Sequence, residues 1–260
     1  MLIALCAVFM IPVVFIVLTS LMPEKQTLSG ALWPHPFRWQ NYVDVFKSQD
    51  MLRFAVNTLT IAVLSTIGTV FACVPVAYAL ARLRWRGRQF AFILVLATFM
   101  LPSQVTIIPL YIVFVKLHWI NTFLPLIVPS FFGDAFSIFL LRQFFLTIPE
   151  EFSDAARVDG ASEFQIMFKV IMPLVKPAIA AIAIFNFLFA WNDFFAPLLF
   201  LQDNSKYTLA LWLSTFRGLH HVQWNLTLAA SMMVTIPVII IFFLAQRVFL
   251  EGITLTGVKG

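Results

Sequence analysis

Charged residues are scarce in this chain, since only 11% of its 260 residues are Asp, Glu, Lys or Arg. A soluble domain carries about 25% charged residues, and a chain with less than half of that share cannot cover a globule with polar surface. The scarcity therefore excludes an ordinary soluble enzyme, a nucleic-acid-binding module and a disordered chain. The 61% share of hydrophobic residues indicates an integral membrane protein that lies in a lipid bilayer.

Cysteine and histidine are also rare, with two and four residues respectively. Cys6 and Cys73 both lie in apolar segments, which indicates buried membrane thiols rather than a disulfide pair. All four histidines lie outside those segments, so the sequence offers no metal cluster or Ser/His pair at membrane depth. We therefore expect no metal site, and an intramembrane enzyme ranks last among the candidate functions.

Six long apolar segments fill most of the chain, and each has the length of about 20 residues that a spanning helix needs. The predicted spans are residues 1–22, 54–81, 90–115, 123–145, 177–201 and 226–250. The connecting stretches leave no room for a soluble domain, so we expect one transmembrane domain over residues 1–260 with an all-α integral membrane fold. The first segment would alternatively be a cleaved signal peptide, but no basic residue precedes it.

The basic residues predict the orientation of these spans, because cytoplasmic loops carry an excess of Lys and Arg. If six spans alternate, ten of the 17 basic residues lie on the same side of the membrane as both termini. These ten are Arg82, Arg84, Arg86, Arg88, Arg142, Arg157, Lys169, Lys176, Arg247 and Lys259. A dense cluster in a short loop weighs most. The arginines of residues 82–88 therefore predict that both termini are cytoplasmic.

The polar loop between the fourth and fifth spans, residues 146–176, holds five of the 12 acidic residues. We expect a first short helix that starts at Pro149 and ends near Val158, because acidic residues near a helix start complement the helix dipole. Gly160 suits the position just past that helix, where a positive φ is needed.

A second short helix is predicted to start at a capping box formed by Ser162 and Gln165 and to end before Pro173. On the first helix, the small residues Ala155 and Ala156 would allow another surface to approach the backbone closely. That helix could then transmit a push from a cytoplasmic partner to the membrane. A capped surface loop without a partner explains the same residues equally well, and local physics leaves both interpretations open.

The loop also contains the run D-A-A-R-V-D-G-A at residues 154–161, followed by I-M-P at residues 171–173. This pattern resembles the EAA signature of ABC importer permeases, with Asp154 in place of the glutamate. The segment W-N-D-F at residues 191–194 and the tail at residues 251–260 resemble the same family. Over essentially its whole length the chain is similar to the maltose-type carbohydrate branch of the binding-protein-dependent transport system inner membrane components.

The resemblance implies the type I permease fold of ABC importers, with six transmembrane helices and a cytoplasmic coupling helix between helices 4 and 5. The implied assembly contains a second permease subunit, a cytoplasmic ATPase dimer and an extracytoplasmic substrate-binding protein, and its cargo is a sugar. It would lie in the cytoplasmic (inner) membrane of a bacterium or archaeon. The chain itself would be no enzyme and hold no cofactor, because ATP and Mg²⁺ would bind to the ATPase.

The resemblance also assigns residues to the contact with the ATPase. Those in the coupling loop are Glu151, Asp154, Ala155, Ala156, Arg157, Asp159, Gly160, Ala161 and Pro173. In the tail, Gly257, Val258, Lys259 and Gly260 are implied to reach the ATPase dimer. Gly252 and Gly257 have the spacing of a phosphate-binding loop, but Val258 stands where its lysine must be. This mismatch again predicts that ATP binds to another subunit.

Polar side chains within spans are costly unless they face the protein interior or water, so they are candidates for a substrate pathway. The candidates are Asn57, Gln104, Asp134, Asn186, Trp191, Asn192 and Asp193. Asn186 and Asp193 are seven residues apart and would share one helix face that lines a cavity for hydroxyl-rich cargo. Interhelical hydrogen bonding explains such residues as well, and Asp134 would alternatively pair with a basic residue of the partner subunit.

A secondary transporter of a polar solute is the alternative function. It predicts internal repeats and ionisable pairs near the midplane of the membrane. The sequence contains no convincing repeat and only one central acidic residue, Asp134. The importer subunit is therefore the favoured hypothesis.

Overall fold

The computed structural model describes residues 1–47, 50–216 and 222–257, and no strand is found among them. Short helices lie between the long helices at several places along the chain. The helices are α1 (Leu2–Ser20), α2 (Glu24–Thr27), α3 (Gln40–Lys47), α4 (Met51–Ala81), α5 (Arg88–Phe99), α6 (Ser103–Lys116), α7 (Leu124–Ile127), α8 (Ala135–Thr147), α9 (Glu151–Val158), α10 (Glu163–Gln165), α11 (Met172–Leu174), α12 (Lys176–Asn192), α13 (Phe195–Phe200), α14 (Leu209–Thr215) and α15 (Trp224–Gly257). The predicted all-α class is confirmed.

Four stretches are long and apolar enough to cross a membrane, and two further pairs of helices pass the same test only when each bent pair is taken together. The four are Ile3–Ser20, Met51–Ala81, Leu124–Thr147 and Trp224–Leu244. The bent pairs are Arg88–Phe99 with Gln104–Lys116, at 95°, and Glu163–Leu174 with Lys176–Asn192, at 82°. The described residues thus supply four to six spans, and the number six stays a prediction.

Prolines interrupt two of the predicted spans. Residues 90–115 do not form one helix, because Pro102 disfavours the helical conformation of the residue before it, and α6 begins only after it. In residues 177–201, α12 ends at Asn192 and α13 begins at Phe195. In a continuous helix the ring of Pro197 would clash with the carbonyl four residues earlier, so the break falls at that carbonyl. Neither of these two predicted spans is a single uninterrupted helix.

Two compact units make up the chain. Unit 1 comprises residues 1–59 and 192–243, and unit 2 comprises residues 60–191 with the residues from 244 onward. In unit 1, the fully buried Asn41 donates to the carbonyls of Ser20 and Met22 at 2.8 and 2.9 Å, which ties α3 to the end of α1. The expectation of a single domain over the whole chain stays a prediction.

The hydrophobic core of unit 2 joins the middle and end of α4 to the polar loop and to α12. Leu141 and Phe145 of α8 are fully buried in it, as are Ile166 and Ile171 of the loop and Ile182 of α12. Burying a side chain of this size stabilises the fold by about 1.5–3 kcal/mol. The core therefore anchors the polar loop firmly to the apolar helices. Cys73 is buried in the same core, whereas Cys6, expected to be buried, is exposed.

Candidate functional site

Helix α9 presents different residues on its two faces. Ser153 is buried, and Ala156 packs against the core of unit 2. The opposite face carries Glu151, Ala155 and Val158 at helical spacing, all of them exposed, and Val158 is 88% exposed. The sequence gives no reason to distinguish Ala155 from Ala156, but in the structure Ala155 is exposed and Ala156 is partly buried. Only Ala155 lies where a partner surface would approach closely.

A Schellman motif ends α9. Gly160 has a φ of +79°, its N–H donates to the carbonyl of Arg157 at 3.0 Å, and the N–H of Ala161 donates to that of Ala156 at 2.9 Å. The predicted positive φ of Gly160 is thereby confirmed. An added Cβ would meet nothing within 4 Å, so the glycine is needed for its backbone conformation and not for space.

The second short helix begins as predicted but continues further. The capping box is confirmed, because Gln165 N–H donates to Ser162 Oγ at 3.4 Å and Ser162 N–H donates to Gln165 Oε1 at 2.8 Å. After α10 the chain forms a π-helical segment, Ile166–Ile171, and then α11, which contains Pro173. The prediction that the helix ends before Pro173 is wrong. The helical run Glu163–Leu174 ends one residue after Pro173.

Arg157 connects the two short helices. Its Nη1 donates to Asp154 Oδ1 at 2.7 Å, and its Nε donates to Glu163 Oε1 at 2.7 Å. The hydrogen bond to Glu163 raises the pKa of the Arg157 guanidinium, which keeps the charge on this side chain. Glu163 also accepts a hydrogen bond from the hydroxyl of Tyr78 in α4, at 2.9 Å. A continuous set of side-chain bonds therefore links α9 to a spanning helix.

An open cavity of about 710 Å³ lies between α9 and the arginine-rich loop that follows α4. Its wall contains Arg82 and Ser153, and the Nε of Arg82 and the Oγ of Ser153 are buried there with no hydrogen-bond partner among the described residues. Arg84 pairs with Glu150 across the cavity at 2.8 Å, and both side chains are largely exposed. The basic loop, which sequence reasoning used only to predict orientation, therefore contacts the polar loop of residues 146–176 directly.

Sequence reasoning missed Tyr78, Arg82 and Glu163 as members of this site. One signal was available, because Tyr78 and Arg82 are four residues apart at the end of an apolar span and so share a helix face. No local pattern reveals that Glu163 contacts Tyr78, since it lies 85 residues beyond it.

The predicted pathway residues lie in different surroundings. In unit 1, Asn57 donates through Nδ2 to the carbonyls of Ser205 and Tyr207, both at 3.0 Å. In unit 2, Thr66 donates to Asn186 Oδ1 at 3.3 Å, and Gln104 is exposed near the start of α6. These contacts are typical of amides that hydrogen-bond between helices or to the backbone of a loop. A role in binding cargo stays a prediction.

Asp134 caps a helix. Its Oδ1 accepts a hydrogen bond from Ser137 N–H at 2.8 Å at the start of α8. Gly133, with a φ of +80°, turns the chain just before this cap. Cys73 lies close by, with its Sγ 3.8 Å from Asp134 Oδ2. The cap explains why a carboxylate lies in this predicted span.

The W-N-D-F segment lies at the break between α12 and α13. Trp191 is buried, and its ring stacks on Phe187 with centroids 5.6 Å apart. Asn192 is the last residue of α12, and Asp193 Oδ1 accepts hydrogen bonds from the N–H groups of Phe195 and Ala196 at 3.0 and 3.2 Å. Because the helix ends between them, Asn186 and Asp193 do not lie on one face of a continuous helix as predicted.

The tail is described only in part. Gly257 is the last residue of α15, and the predicted ATPase-contacting residues Val258, Lys259 and Gly260 lie outside the described residues, as do His220 and His221. Within the described part of the chain, no group of three or more His, Cys, Asp and Glu residues is placed to hold a metal ion.

Comparison with known proteins identifies the family. Residues 73–254 match the family model described as binding-protein-dependent transport system inner membrane component. The chain belongs to this family. Its members are permease subunits of ABC transporters, which are not enzymes, and the ATPase is a separate subunit. The chain is accordingly a multi-pass permease of the inner membrane.

Relatives match this permease over nearly its whole length. It is 33% identical to the arabinooligosaccharides transport system permease protein AraQ of Halalkalibacterium halodurans, over 99% of this chain and 93% of the relative. It is 31% identical to the trehalose/maltose transport system permease protein MalG of Thermococcus litoralis, over 99% and 94%.

A solved structure has the same fold. The permease superposes with a TM-score of 0.83 and 27% identity on a chain of a bacterial ABC transporter involved in the import of the acidic polysaccharide alginate. The match covers 95% of this chain and 92% of that one. The ABC importer permease fold of this chain is thus confirmed.

Proposed function

We propose that this permease is a translocation-pathway subunit of an ATP-driven importer that receives a sugar or oligosaccharide from an extracytoplasmic binding protein. Its partners in the membrane and cytoplasm are a second permease and an ATPase dimer, which binds ATP and Mg²⁺. Sugar as cargo is supported by the names of relatives that share about a third of its residues over most of the chain.

The observation that carries this proposal is the arrangement of α9. This eight-residue helix packs one face on the core of unit 2 and leaves Glu151, Ala155 and Val158 exposed on the other. An apolar side chain that is 88% exposed, beside a small alanine, suits contact with another protein. We propose this face as the coupling surface for the ATPase, with Asp154, Arg157, Asp159, Gly160, Ala161 and Pro173 holding it in place.

The proposed topology has six spans and both termini in the cytoplasm. It places α9 and the arginines of residues 82–88 on one side of the membrane, which agrees with the cavity that α9 lines together with Arg82 and Arg84. The tail at residues 257–260 is proposed to contact the ATPase dimer on that same side.

The test uses the complete importer, co-expressed from the genes encoded beside this chain and reconstituted in liposomes. Uptake of radiolabelled maltose, trehalose and arabinotriose is measured with and without ATP, and co-purification of the ATPase is measured in parallel. We expect ATP-dependent uptake and a stable complex. In the Ala155→Trp variant, the bulky ring should expel the ATPase and abolish uptake. Ala31→Trp, at another exposed alanine, is the matched control and should retain both.

Two outcomes contradict the proposal. Uptake that follows an ion gradient and ignores ATP would support the secondary transporter instead. Full retention of the ATPase by Ala155→Trp would show that the exposed face of α9 is not the contact.

A further inference from the structure

Two side chains at the end of α4, those of Tyr78 and of Arg82 just past its last residue, reach the two ends of the segment that carries α9. Arg82 donates through Nη1 to the carbonyl of Ile148 at 2.8 Å and through Nη2 to that of Pro149 at 3.0 Å, just before α9 begins. The hydroxyl of Tyr78 donates to Glu163 Oε2 at 2.9 Å, shortly after α9 ends. The helix α9 therefore lies between two points at which α4 holds the chain.

Both attachments leave from one face of α4. Tyr78 and Arg82 are four residues apart, and residues at this spacing lie above one another on a helix. The N–H of Arg82 donates to the carbonyl of Tyr78 at 2.8 Å, so helical geometry extends as far as Arg82. A single turn at the end of one spanning helix thus holds residues 148–163, which we name the coupling segment, on both sides of α9.

The attachments are stiff. Tyr78 is only 2% exposed, and its ring meets that of Phe145 edge-on, with centroids 6.0 Å apart. Glu163, the acceptor, is fixed on its other oxygen by Arg157 Nε at 2.7 Å. Arg82 uses the planar fork of its guanidinium on two carbonyls, and such a fork loses little freedom when it binds. A displacement of α9 is therefore passed to α4 and not absorbed by side-chain rotation.

A third link between the same regions is much weaker. Arg84 and Glu150 form an ion pair at 2.8 Å, but their side chains are 84% and 66% exposed. Exposed pairs of this kind contribute little, because water and salt screen the attraction. Movement of α9 should therefore reach α4 through Tyr78 and Arg82 rather than through Arg84. Arg84 is a matched control, because it lies in the same loop as Arg82.

We propose that Tyr78 and Arg82 are positioning residues that make α4 move with α9 as one body when the ATPase binds nucleotide. This inference rests on the proposed function, in which α9 is the ATPase contact. Glu163 completes the attachment by holding the Tyr78 hydroxyl and Arg157 together. The ATPase then acts on the membrane through the end of α4, and the energy of nucleotide binding reaches the bundle at that end.

The test measures the distance between α4 and α9 in the complete, reconstituted importer. Spin labels are attached at Arg86→Cys, in the loop that follows α4, and at Phe152→Cys, in α9, after replacement of Cys6 and Cys73. Both label positions are exposed. Distances are recorded without nucleotide and with ATP plus vanadate. In the parent we expect the same distance in both states. In the Tyr78→Phe/Arg82→Gln variant we expect a nucleotide-dependent shift, because α9 follows the ATPase while α4 lags behind.

Three outcomes of this experiment would overturn the inference. A variant that behaves like the parent overturns the inference, as does a parent whose distance changes with nucleotide. A variant whose distances are already altered without nucleotide indicates a merely structural role and also overturns it. Arg84→Gln should match the parent. Failure of the ATPase to co-purify with the parent would instead refute the proposed function, which keeps the two claims distinguishable.

Discussion

Polar side chains of the coupling segment and polar side chains of the spans have different partners. In the coupling segment, Arg157 bonds to the carboxylates of Asp154 and Glu163, so side chains from separate helices hold one another. Within the spans, Asn57 and Asp134 bond to backbone groups, at a loop and at a helix start. A backbone partner satisfies a polar group wherever the chain turns, whereas a side-chain partner requires two elements to keep their places. The coupling segment relies on the second kind with short, charged contacts of 2.7 Å, whereas the bond of this kind between Thr66 and Asn186 in the spans is longer, at 3.3 Å.

The difference has a consequence for substitution. A side chain that caps a helix or bonds to the backbone of a loop can be replaced by any group that offers the same acceptor or donor. A bond between side chains of two elements fails when either partner changes. Substitutions in the coupling segment should therefore disturb communication between elements, and those in the spans should disturb local stability.

The largest effect is expected for Gly160→Val. A side chain at a φ of +79° costs about 1–2 kcal/mol, and a β-branched one more, so the turn that aligns α9 with α10 should be lost. That strain shifts a two-state balance by a factor of about 5–30. We expect uptake to fall by a factor of that size while ATP hydrolysis continues, measured as ATP consumed per sugar imported.

Gly30→Val is the matched control for this substitution. Gly30 has a φ of +75° and open space around it, as Gly160 does, but it lies in the predicted external loop. It should lower stability by a similar amount and leave the ratio of ATP to sugar unchanged. An equal rise of that ratio in both variants would show that strain alone, and not the coupling turn, is responsible.

A smaller effect is expected at Asp134. Asp134→Ala removes the cap of α8 and should cost about 1 kcal/mol, or a decrease of about 2–4 °C in the midpoint of thermal unfolding. Asp134→Asn retains an acceptor for Ser137 N–H and should resemble the parent in both stability and uptake. If Asp134→Asn abolishes uptake while stability is retained, then the charge itself is required, and Asp134 serves cargo or a partner subunit.

Much of this architecture could be predicted from the sequence, because its determinants are local. The apolar segments predict the helices, the glycine at position 160 predicts the positive φ, and Ser162 with Gln165 predicts the capping box. The break at Asp193 was missed, although Pro197 lies four residues beyond it, because apolar composition does not show where a span is interrupted.

The remaining features depend on packing over long sequence separations. The bond between Tyr78 and Glu163 joins residues 85 positions apart, and only the folded core brings them together. Likewise, the opposite exposures of Ala155 and Ala156 follow from which face of α9 meets that core. Neither residue type nor spacing contains this information.

A weaker and more local effect is expected for Ser162→Ala. The substitution removes one half of the capping box and should cost about 0.5–1 kcal/mol at the start of α10. Faster hydrogen exchange of the Gln165 amide should reveal this loss, with uptake nearly unchanged. Ser162→Thr keeps the hydroxyl and should protect that amide as in the parent. Unchanged exchange in the Ala variant would mean that packing and not the box holds the helix start.

The smallest effect is expected for Arg84→Gln. Its ion pair with Glu150 has good geometry at 2.8 Å but is largely exposed, so its loss should cost about 0–1 kcal/mol and even less at high salt. Arg157→Gln breaks one contact of 2.7 Å within α9 and another of 2.7 Å that joins α9 to α10, so it should reduce uptake far more. Both variants are compared in uptake and in unfolding at low and high salt. Equal losses of uptake in the two variants would contradict the comparison. The exposed pair of Arg84 and Glu150 would then matter as much as the bond that links α9 to α10.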